Sequence, residues 1–179
     1  MTNNRKRLVS AAAFALVALL SVPAQIDNVG TLNTWTTKPL SRAHNSSSLA
    51  SYIKVVRAAK QNGFDRVVFE FKDSLPNYRI EYLKSHFYDA EAGRVRIRQP
   101  GNVFLQIEFF VVPTDEQLKF SEAKGFVPKG RLRMPSLQSV KDKVLFEGYY
   151  DFLMGVSSRK PYRVTELANP SRLAIDFKD

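Results

Sequence analysis

Three arginines alternate with apolar residues in a short segment of this 179-residue chain. Arg94, Arg96 and Arg98 are separated by Val95 and Ile97, a spacing that places all three on one face of a strand, about 6–7 Å apart. Guanidinium groups in such a row can bind carboxylates or phosphates through two hydrogen bonds each. The spacing predicts an anion-binding surface; the alternatives are a solvated sheet face or an edge strand protected by charge.

A second group of side chains could extend this surface. Arg131 and Arg133 repeat the alternation, with Lys129, in a segment rich in turn residues. Tyr149 and Tyr150 could stack on sugar rings, because a tyrosine presents a flat apolar face and a polar hydroxyl. These arginines and tyrosines complete the predicted binding surface for an anionic or glycan polymer.

Motifs for catalysis are incomplete in this chain. Residues 125–132 imitate a phosphate-binding loop, but Arg131 and Leu132 replace the lysine and the hydroxyl residue that contact phosphate and magnesium. Ser-x-x-Lys occurs three times, without the Ser-Asp-Asn and Lys-Thr-Gly elements of penicillin-recognising enzymes. We therefore predict no catalytic residue.

The chain also offers little for metal or acid–base chemistry. It has no cysteine and two distant histidines, His44 and His86, and no spacing supplies a third zinc ligand. Glu147 and Asp151 could form the carboxylate pair of a glycoside hydrolase, which only their separation in space would identify. The alternative is that they are solvated or paired with lysines. We predict no metal site, no cofactor and no enzyme activity.

The first 24 residues have the pattern of a secretory signal peptide. Basic residues at positions 5–7 precede an apolar stretch at residues 8–20, and Val22-Pro23-Ala24 supplies small residues before a cleavage site. The apolar stretch has about 13 residues, too few to span a bilayer. We therefore expect cleavage after Ala24 and a mature protein without a membrane span.

The mature chain is basic. The whole sequence has 27 Lys and Arg residues against 17 Asp and Glu, a formal charge of +10, and losing three basic residues with the signal peptide leaves +7. A basic protein in the periplasm or outside the cell encounters cell-wall carboxylates, teichoic or lipid phosphates and polysaccharides. We expect a cell-wall polymer or an envelope protein as partner, and no nucleic acid.

Residues 25–48 are rich in Thr, Asn and Ser and contain few aliphatic side chains. Such a segment buries too little apolar surface to offset its loss of conformational entropy. We therefore predict a flexible tether here, followed by a domain at residues 49–179. Trp35, the only tryptophan, lies in the tether. It either folds back on the edge of the domain or stacks, exposed, on a sugar ring or a partner.

The predicted domain shows the period-two alternation of β-strands. Apolar and charged side chains alternate over residues 65–72 and 172–177, and Asn, Gly and Pro turns separate the strands, with a hairpin at residues 61–63. Only residues 115–124 and 136–144 have a helical pattern. We predict an all-β fold, a β-sandwich of two small, mostly antiparallel sheets with at most one or two short helices.

Two segments of the domain resemble the AMIN-like domain of exported bacterial proteins. Residues 63–82 contain Gly-Phe-Asp-Arg-Val-Val-Phe-Glu-Phe and Pro-Asn-Tyr-Arg-Ile-Glu-Tyr, and residues 161–177 contain Leu-Ala-Asn-Pro-Ser-Arg-Leu-Ala-Ile-Asp-Phe. The second segment is similar to the ending of AMIN domains in general, and the resemblance spans about residues 49–179. The charged residues on the matching strands are Arg66, Arg163, Arg172 and Asp176.

The sequence allows two roles for these four charged residues. They could contact a ligand, or an Arg172–Asp176 or Arg66–Asp176 ion pair could be internal to the fold. The resemblance implies a β-sandwich without catalytic machinery. AMIN domains occur in cell-wall amidases and secretin-type envelope proteins, where they target the protein to peptidoglycan or to the division site. No amidase domain follows in this sequence, so we expect the targeting role alone.

The leading hypothesis is a non-catalytic exported module that binds the cell wall, through peptidoglycan or another anionic envelope polymer. One alternative is a module that docks on another envelope protein through a sheet edge. The other is a binder of a small apolar ligand, because 13 Phe and 7 Tyr residues could line a cavity.

Overall fold

The computed structural model describes residues 30–44, 52–90, 93–111, 127–146 and 149–179. This part of the chain forms strands and no helix, which confirms the all-β prediction. The predicted signal peptide, its cleavage site and the helical pattern at residues 115–124 lie outside the described residues. The strands are β1 (Leu40–Arg42), β2 (Ile53–Gln61), β3 (Phe64–Phe71), β4 (Asn77–Tyr82), β5 (Phe87–Ala90), β6 (Gly93–Arg96), β7 (Val103–Phe110), β8 (Leu137–Phe146), β9 (Tyr149–Val156), β10 (Tyr162–Leu167) and β11 (Arg172–Lys178).

Two antiparallel sheets form the sandwich that the sequence predicts. The five-stranded sheet has the order β1-β4-β7-β9-β8, and the four-stranded sheet has the order β10-β11-β3-β2. Strands β5 and β6 form a separate two-stranded sheet. None of the described residues forms a helix with the length and hydropathy needed to cross a bilayer.

The inner faces of the two sheets make one apolar core. Every second residue of β3 is buried, as its alternating sequence predicts. Phe69 of β3 packs edge-on against Phe109 of β7 and Phe152 of β9, with ring centroids 5.1 and 5.0 Å apart. Such edge contacts add about 0.5–1.5 kcal/mol per pair to the burial energy. These phenylalanines therefore fill the space between the sheets.

A tight hairpin joins β2 to β3 in the four-stranded sheet. Gln61 pairs with Phe64, so Asn62 and Gly63 form the turn that the sequence predicts. Gly63 has φ of 80°, a conformation that costs glycine little and residues with a Cβ more. The hairpin fixes β3 beside β2 and leaves its other side for β11.

Residues 30–44, which we name the N-terminal segment, belong to the fold. Their composition predicts a flexible tether, but Thr36 pairs with Tyr162 at the edge of β10, and β1 pairs with β4. Leu40 is buried in the core. The tether prediction is wrong for these residues, because backbone hydrogen bonds to both sheets and a few anchoring side chains hold a segment that is polar on average.

The helical pattern at residues 136–144 is also misleading. Leu137, Val140 and Val144 have helical spacing, yet the segment lies in β8, paired with β9. The pairing contains two register shifts, between Leu137 and Ser139 and between Asp142 and Leu145. Each irregularity interrupts the period of two, so the apolar residues of a real strand imitate the spacing of a helix.

Candidate functional site

Three adjacent strands bring charged residues into one row on the outer face of the four-stranded sheet. Asp176 of β11 is paired with Arg163 of β10 on one side and with Arg66 of β3 on the other. Side chains alternate across a strand, and the neighbouring Ile175 and Phe177 are buried in the core. We call Arg163, Asp176 and Arg66 the charged row.

Asp176 holds both arginines of the charged row. Arg66 donates from Nε to Oδ1 at 2.6 Å and from Nη2 to Oδ2 at 2.9 Å. Arg163 donates from Nε and Nη2 to Oδ2, at 3.1 and 2.6 Å. The hydrogen bond to Asp176 raises the pKa of Arg66 above its ordinary value. Two cations around one anion leave a fixed net charge of +1 at this position.

The two arginines differ from Asp176 in exposure. The Asp176 side chain is 1% exposed, whereas those of Arg66 and Arg163 are 32% and 27% exposed. The buried carboxylate therefore sets the orientation of the guanidinium groups, and the guanidinium groups meet the solvent. The arrangement is a preorganised cationic surface, since little side-chain freedom remains to be lost when an anion binds.

Two aromatic rings border the charged row. The guanidinium carbon of Arg163 lies 4.6 Å from the ring centroid of Trp35 and 5.4 Å from that of Phe64. The guanidinium carbon of Arg66 lies 5.2 Å from the Phe64 centroid, and the two rings meet edge-on at 6.3 Å. The charge of both arginines therefore lies next to flat apolar surface.

The N-terminal segment positions Trp35. Backbone hydrogen bonds of 2.8 Å join Thr36 to Tyr162 in both directions, and Asn33 N donates to the carbonyl oxygen of Val164 at 2.8 Å. The Thr165 hydroxyl also bonds the Asn33 side chain at 2.7 Å. Trp35 therefore folds back on the edge of the domain, one of the two positions that the sequence left open, and covers Arg163.

Arg172 stands apart from the charged row. It lies four residues before Asp176 on β11, about 13 Å along the strand, and its Nε donates to the carbonyl oxygen of Pro170 at 3.3 Å. The alternative Arg172–Asp176 ion pair is therefore wrong, while the Arg66–Asp176 pair is present. Arg172 is paired in register with Glu70, which forms ion pairs with Lys54 and Arg57.

The other predicted arginines lie on two different elements. Arg94 and Arg96 are on β6, and Arg98 lies beyond its end, so one regular strand does not carry all three. Arg131 and Arg133 are exposed in the segment 127–136, where no strand is formed. The structure thus places the five arginines on exposed surface, in two different segments of the chain.

Only one of the two predicted tyrosines can contact a polymer. Tyr149 is 45% exposed and packs edge-on against Phe110, with ring centroids 4.8 Å apart. Tyr150 is 1% exposed in the core. Successive side chains of a strand face opposite sides of the sheet, so the assignment of Tyr150 to the binding surface is corrected.

A carboxyl pair that the sequence analysis missed lies on the outer face of the five-stranded sheet. Asp151 of β9 is paired in register with Glu108 of β7, and the Gln106 side chain donates to both, at 3.2 and 3.0 Å. Burial and the charge of Glu108 raise the pKa of Asp151 from 3.8 to about 7. Glu147, the expected partner of Asp151, lies outside the described residues. The two residues are 43 positions apart in the sequence, and only the register of β7 against β9 makes them neighbours.

The carboxyl pair makes stability depend on pH. Between about pH 4 and pH 7 the folded protein keeps a proton on Asp151 that the unfolded chain has released, so stability falls as pH rises through this window. Asp151→Asn should therefore resist urea better than the parent at about pH 8, with a free energy of unfolding higher by about 2 kcal/mol. This is about half of the roughly 4 kcal/mol that the pKa difference gives, because water next to the partly exposed side chain screens the rest. At about pH 4 the two proteins should be equally stable. An equal difference at both pH values would contradict this assignment.

The two histidines hold structural contacts in different places. His44 Nε2 lies 3.3 Å from a Glu166 carboxylate oxygen, and His86 Nε2 lies 2.8 Å from the carbonyl oxygen of Asn102. In the portion of the chain that the structure covers, no three potential metal ligands are grouped. These contacts tie the N-terminal segment to β10 and close the loop before β7.

The charged row lies on strands from both of the segments that resemble AMIN domains. A family model for the AMIN-like domain matches residues 51–179. The chain belongs to the AMIN-like domain family. Membership indicates a non-catalytic, envelope-associated module. A search of curated proteins finds no significant match.

Proposed function

We propose that this AMIN-like protein is an exported module that binds cell-wall polymer, peptidoglycan or another anionic envelope polymer, and so targets itself to the envelope. The observation that carries the proposal is the charged row beside Trp35. The row combines a fixed positive charge with an aromatic wall, and a wall polymer combines carboxylates or phosphates with sugar rings. The two chemistries are complementary.

We infer the donors for an anionic group from the hydrogen bonds of the charged row. Within the charged row, Asp176 is contacted by Nε and Nη2 of both Arg66 and Arg163. We assign the remaining Nη1 groups to the ligand, since these two side chains are partly exposed. Trp35 would then contact a sugar ring attached to that anion. Arg94, Arg96, Arg98, Arg131 and Arg133 would raise the encounter rate through the general positive field.

A sheet edge is a weaker candidate for the binding surface. The N-terminal segment covers β10 and β4. The edge strands of the two sheets on the other side, β2 and β8, both carry basic residues: Lys54, Arg57 and Lys60 on β2, and Lys141 and Lys143 on β8. Charged residues on an edge strand oppose the addition of another strand. These features favour polymer binding by the charged row over docking on an envelope protein.

Sedimentation with purified peptidoglycan sacculi at low salt tests the proposal. The parent should be retained, and Trp35→Ala should lower the apparent affinity about ten-fold, equivalent to about 1.4 kcal/mol, because the aromatic wall is lost. Phe87→Ala, which removes an exposed ring on β5, is the matched control and should stay within about two-fold of the parent. Absence of retention at low salt, or equal effects of the two changes, would reject the proposal.

A further inference from the structure

A second group of cations lies on the same outer face of the four-stranded sheet as the charged row. Arg172 of β11 is paired in register with Glu70 of β3. Each lies four positions from a member of the charged row on its own strand, Arg172 from Asp176 and Glu70 from Arg66. An even separation keeps side chains on one face of a strand, and four residues span about 13 Å. The two groups therefore form parallel rows across one sheet face.

The second group repeats the arrangement of the charged row. The Glu70 side chain is 14% exposed and forms ion pairs with Lys54, whose Nζ lies 3.5 Å from Oε1, and with Arg57. The side chains of these two cations are 46% and 58% exposed. We name Lys54, Arg57, Glu70 and Arg172 the second cationic row. In both rows a shielded carboxylate orients two cations that face the solvent.

The second cationic row carries an excess of positive charge. Three cations accompany one carboxylate, which leaves a net charge of +2. Among the residues that the structure describes, no carboxylate forms an ion pair with Arg172, whose Nε donates to the carbonyl oxygen of Pro170 at 3.3 Å. An ion-pair network that served stability alone would be close to neutral, because like charges repel one another. The excess charge indicates that this row meets an anion from outside the chain.

The strip of surface between the two rows is uncharged on three neighbouring strands. The positions midway between the rows are Thr165 on β10, Ala174 on β11 and Val68 on β3, which are paired in register. All three side chains are small and carry no charge. A polymer that runs from one row to the other along β11 therefore meets neither a carboxylate nor a bulky side chain on these strands.

We propose that the charged row and the second cationic row together bind one linear polyanion, which runs along β11 with anionic groups in contact with both rows. The inference rests on the proposed function, since the charged row is one half of the extended site. It names the ligand class more narrowly, as a polymer that carries anions at intervals rather than a ligand with a single anion. Linking two contacts makes the second binding step intramolecular, so the affinity rises with ligand length.

A planar anionic membrane fits this face less well than a hydrated polymer. Large exposed apolar side chains would be needed to enter the lipid interface. Those found among the described residues, Phe87, Val95 and Tyr149, lie on β5, β6 and β9, whereas the two rows lie on β2, β3, β10 and β11. Charge without exposed apolar anchors favours the polymer.

The dependence of affinity on ligand length tests the inference. The probe is a series of oligogalacturonates, chains of sugar rings that each carry a carboxylate, from about two to about eight units long. Short oligomers reach one row at a time, whereas long oligomers reach both. The dissociation constant of the parent, measured by calorimetry at low salt, should fall about ten-fold or more once the oligomer spans both rows.

Neutralising the second cationic row should remove this length dependence. Arg57→Gln with Arg172→Gln leaves one cation and one carboxylate in the row, a net charge of zero. The variant should bind long oligomers about ten-fold more weakly than the parent. It should bind short oligomers within about two-fold of the parent, because the charged row is intact. Lys54→Gln with Arg57→Gln, at two largely exposed positions, should give the same result and serves as the test if Arg172→Gln disturbs folding.

A charge-matched control separates the second cationic row from the general positive field. Lys84→Gln with Lys141→Gln removes two positive charges at exposed positions outside this sheet face, after β4 and on β8. This variant should stay within about two-fold of the parent for oligomers of every length. Unchanged urea midpoints for the parent, the second-row variants and the control would show that all of them are folded.

The outcomes distinguish this inference from the proposed function. Equal affinity for short and long oligomers, or equal losses in the second-row and control variants, would overturn the two-row site and leave the charged row standing. Retention on sacculi without binding of any oligogalacturonate would do the same. Binding to vesicles of phosphatidylcholine with about one-third phosphatidylglycerol, but not to oligomers, would assign the face to lipid and also overturn the inference. If the parent is not retained on sacculi and binds no oligomer, both proposals fail.

Discussion

Asp176→Ala is expected to destabilise the protein by about 3 kcal/mol and to abolish the preorganised cationic surface. The side chain is 1% exposed and holds Arg66 and Arg163 together. Without it, two guanidinium groups remain side by side with no common acceptor. Because each arginine is about one-third exposed, water takes up part of their charge. The loss therefore falls at the lower end of the range for breaking a buried ion pair.

Thermal and urea unfolding measure this prediction. For a domain of this size, about 3 kcal/mol corresponds to a fall in Tm of about 6–12 °C. Glu81→Gln is the matched control, because it breaks the exposed Arg79–Glu81 pair, which should contribute less than about 1 kcal/mol. Sacculus retention should fall for Asp176→Ala and remain for Glu81→Gln. An Asp176 variant as stable as the control would show that the charged row does not hold the sheet together.

Gly155→Ala is expected to have a still larger effect, about 4 kcal/mol. A Cβ on Gly155 would overlap the backbone carbonyl of Pro100 and the Ser139 hydroxyl. The backbone on both sides is fixed, since Gly155 lies within β9 between β7 and β8. The loop at residues 99–101 would have to move, and the bond from Ser139 Oγ to the Pro100 carbonyl oxygen at 2.5 Å would be lost.

The same measurements test the glycine prediction. Gly130→Ala is the matched control, because Gly130 has φ of 75° but nothing within 4 Å of the added carbon. It isolates backbone strain and should cost about 1 kcal/mol. If Gly155→Ala cost no more than this control, the close approach of the loop to β9 would be wrong. The change should also disturb the packing of Ile97 against Phe104 and Leu153, because Ile97 lies two residues before this loop.

Strands with undisturbed alternation could be predicted from the sequence. In β3 and β11 the apolar residues recur at every second position, which predicts strands. Burial follows the same alternation in β3, whereas β11 is buried on both faces from Leu173 to Phe177. The hairpin at Asn62 and Gly63 follows from its turn residues. Strand β8 could not be predicted in this way, because its two register shifts break the period that identifies a strand.

The candidate site was only partly accessible from sequence. The resemblance selected Arg66, Arg163 and Asp176, but not their arrangement, because Arg66 and Asp176 are 110 positions apart and only the strand order makes them neighbours. The position of Trp35 could not be predicted, because it depends on hydrogen bonds between the N-terminal segment and β10. The polar composition of residues 30–44 predicted a tether because composition is an average over the segment, whereas a few individual residues make the contacts that hold it.

The proposed site draws its charge and its aromatic surface from different parts of the chain. The arginines of the charged row lie within the residues 51–179 that the family model matches, whereas Trp35 lies before them. The AMIN-like domain of this chain therefore supplies the charge, and the preceding residues supply the aromatic neighbour. A change confined to the residues around Trp35 would replace the surface beside the two guanidinium groups and leave the sandwich intact.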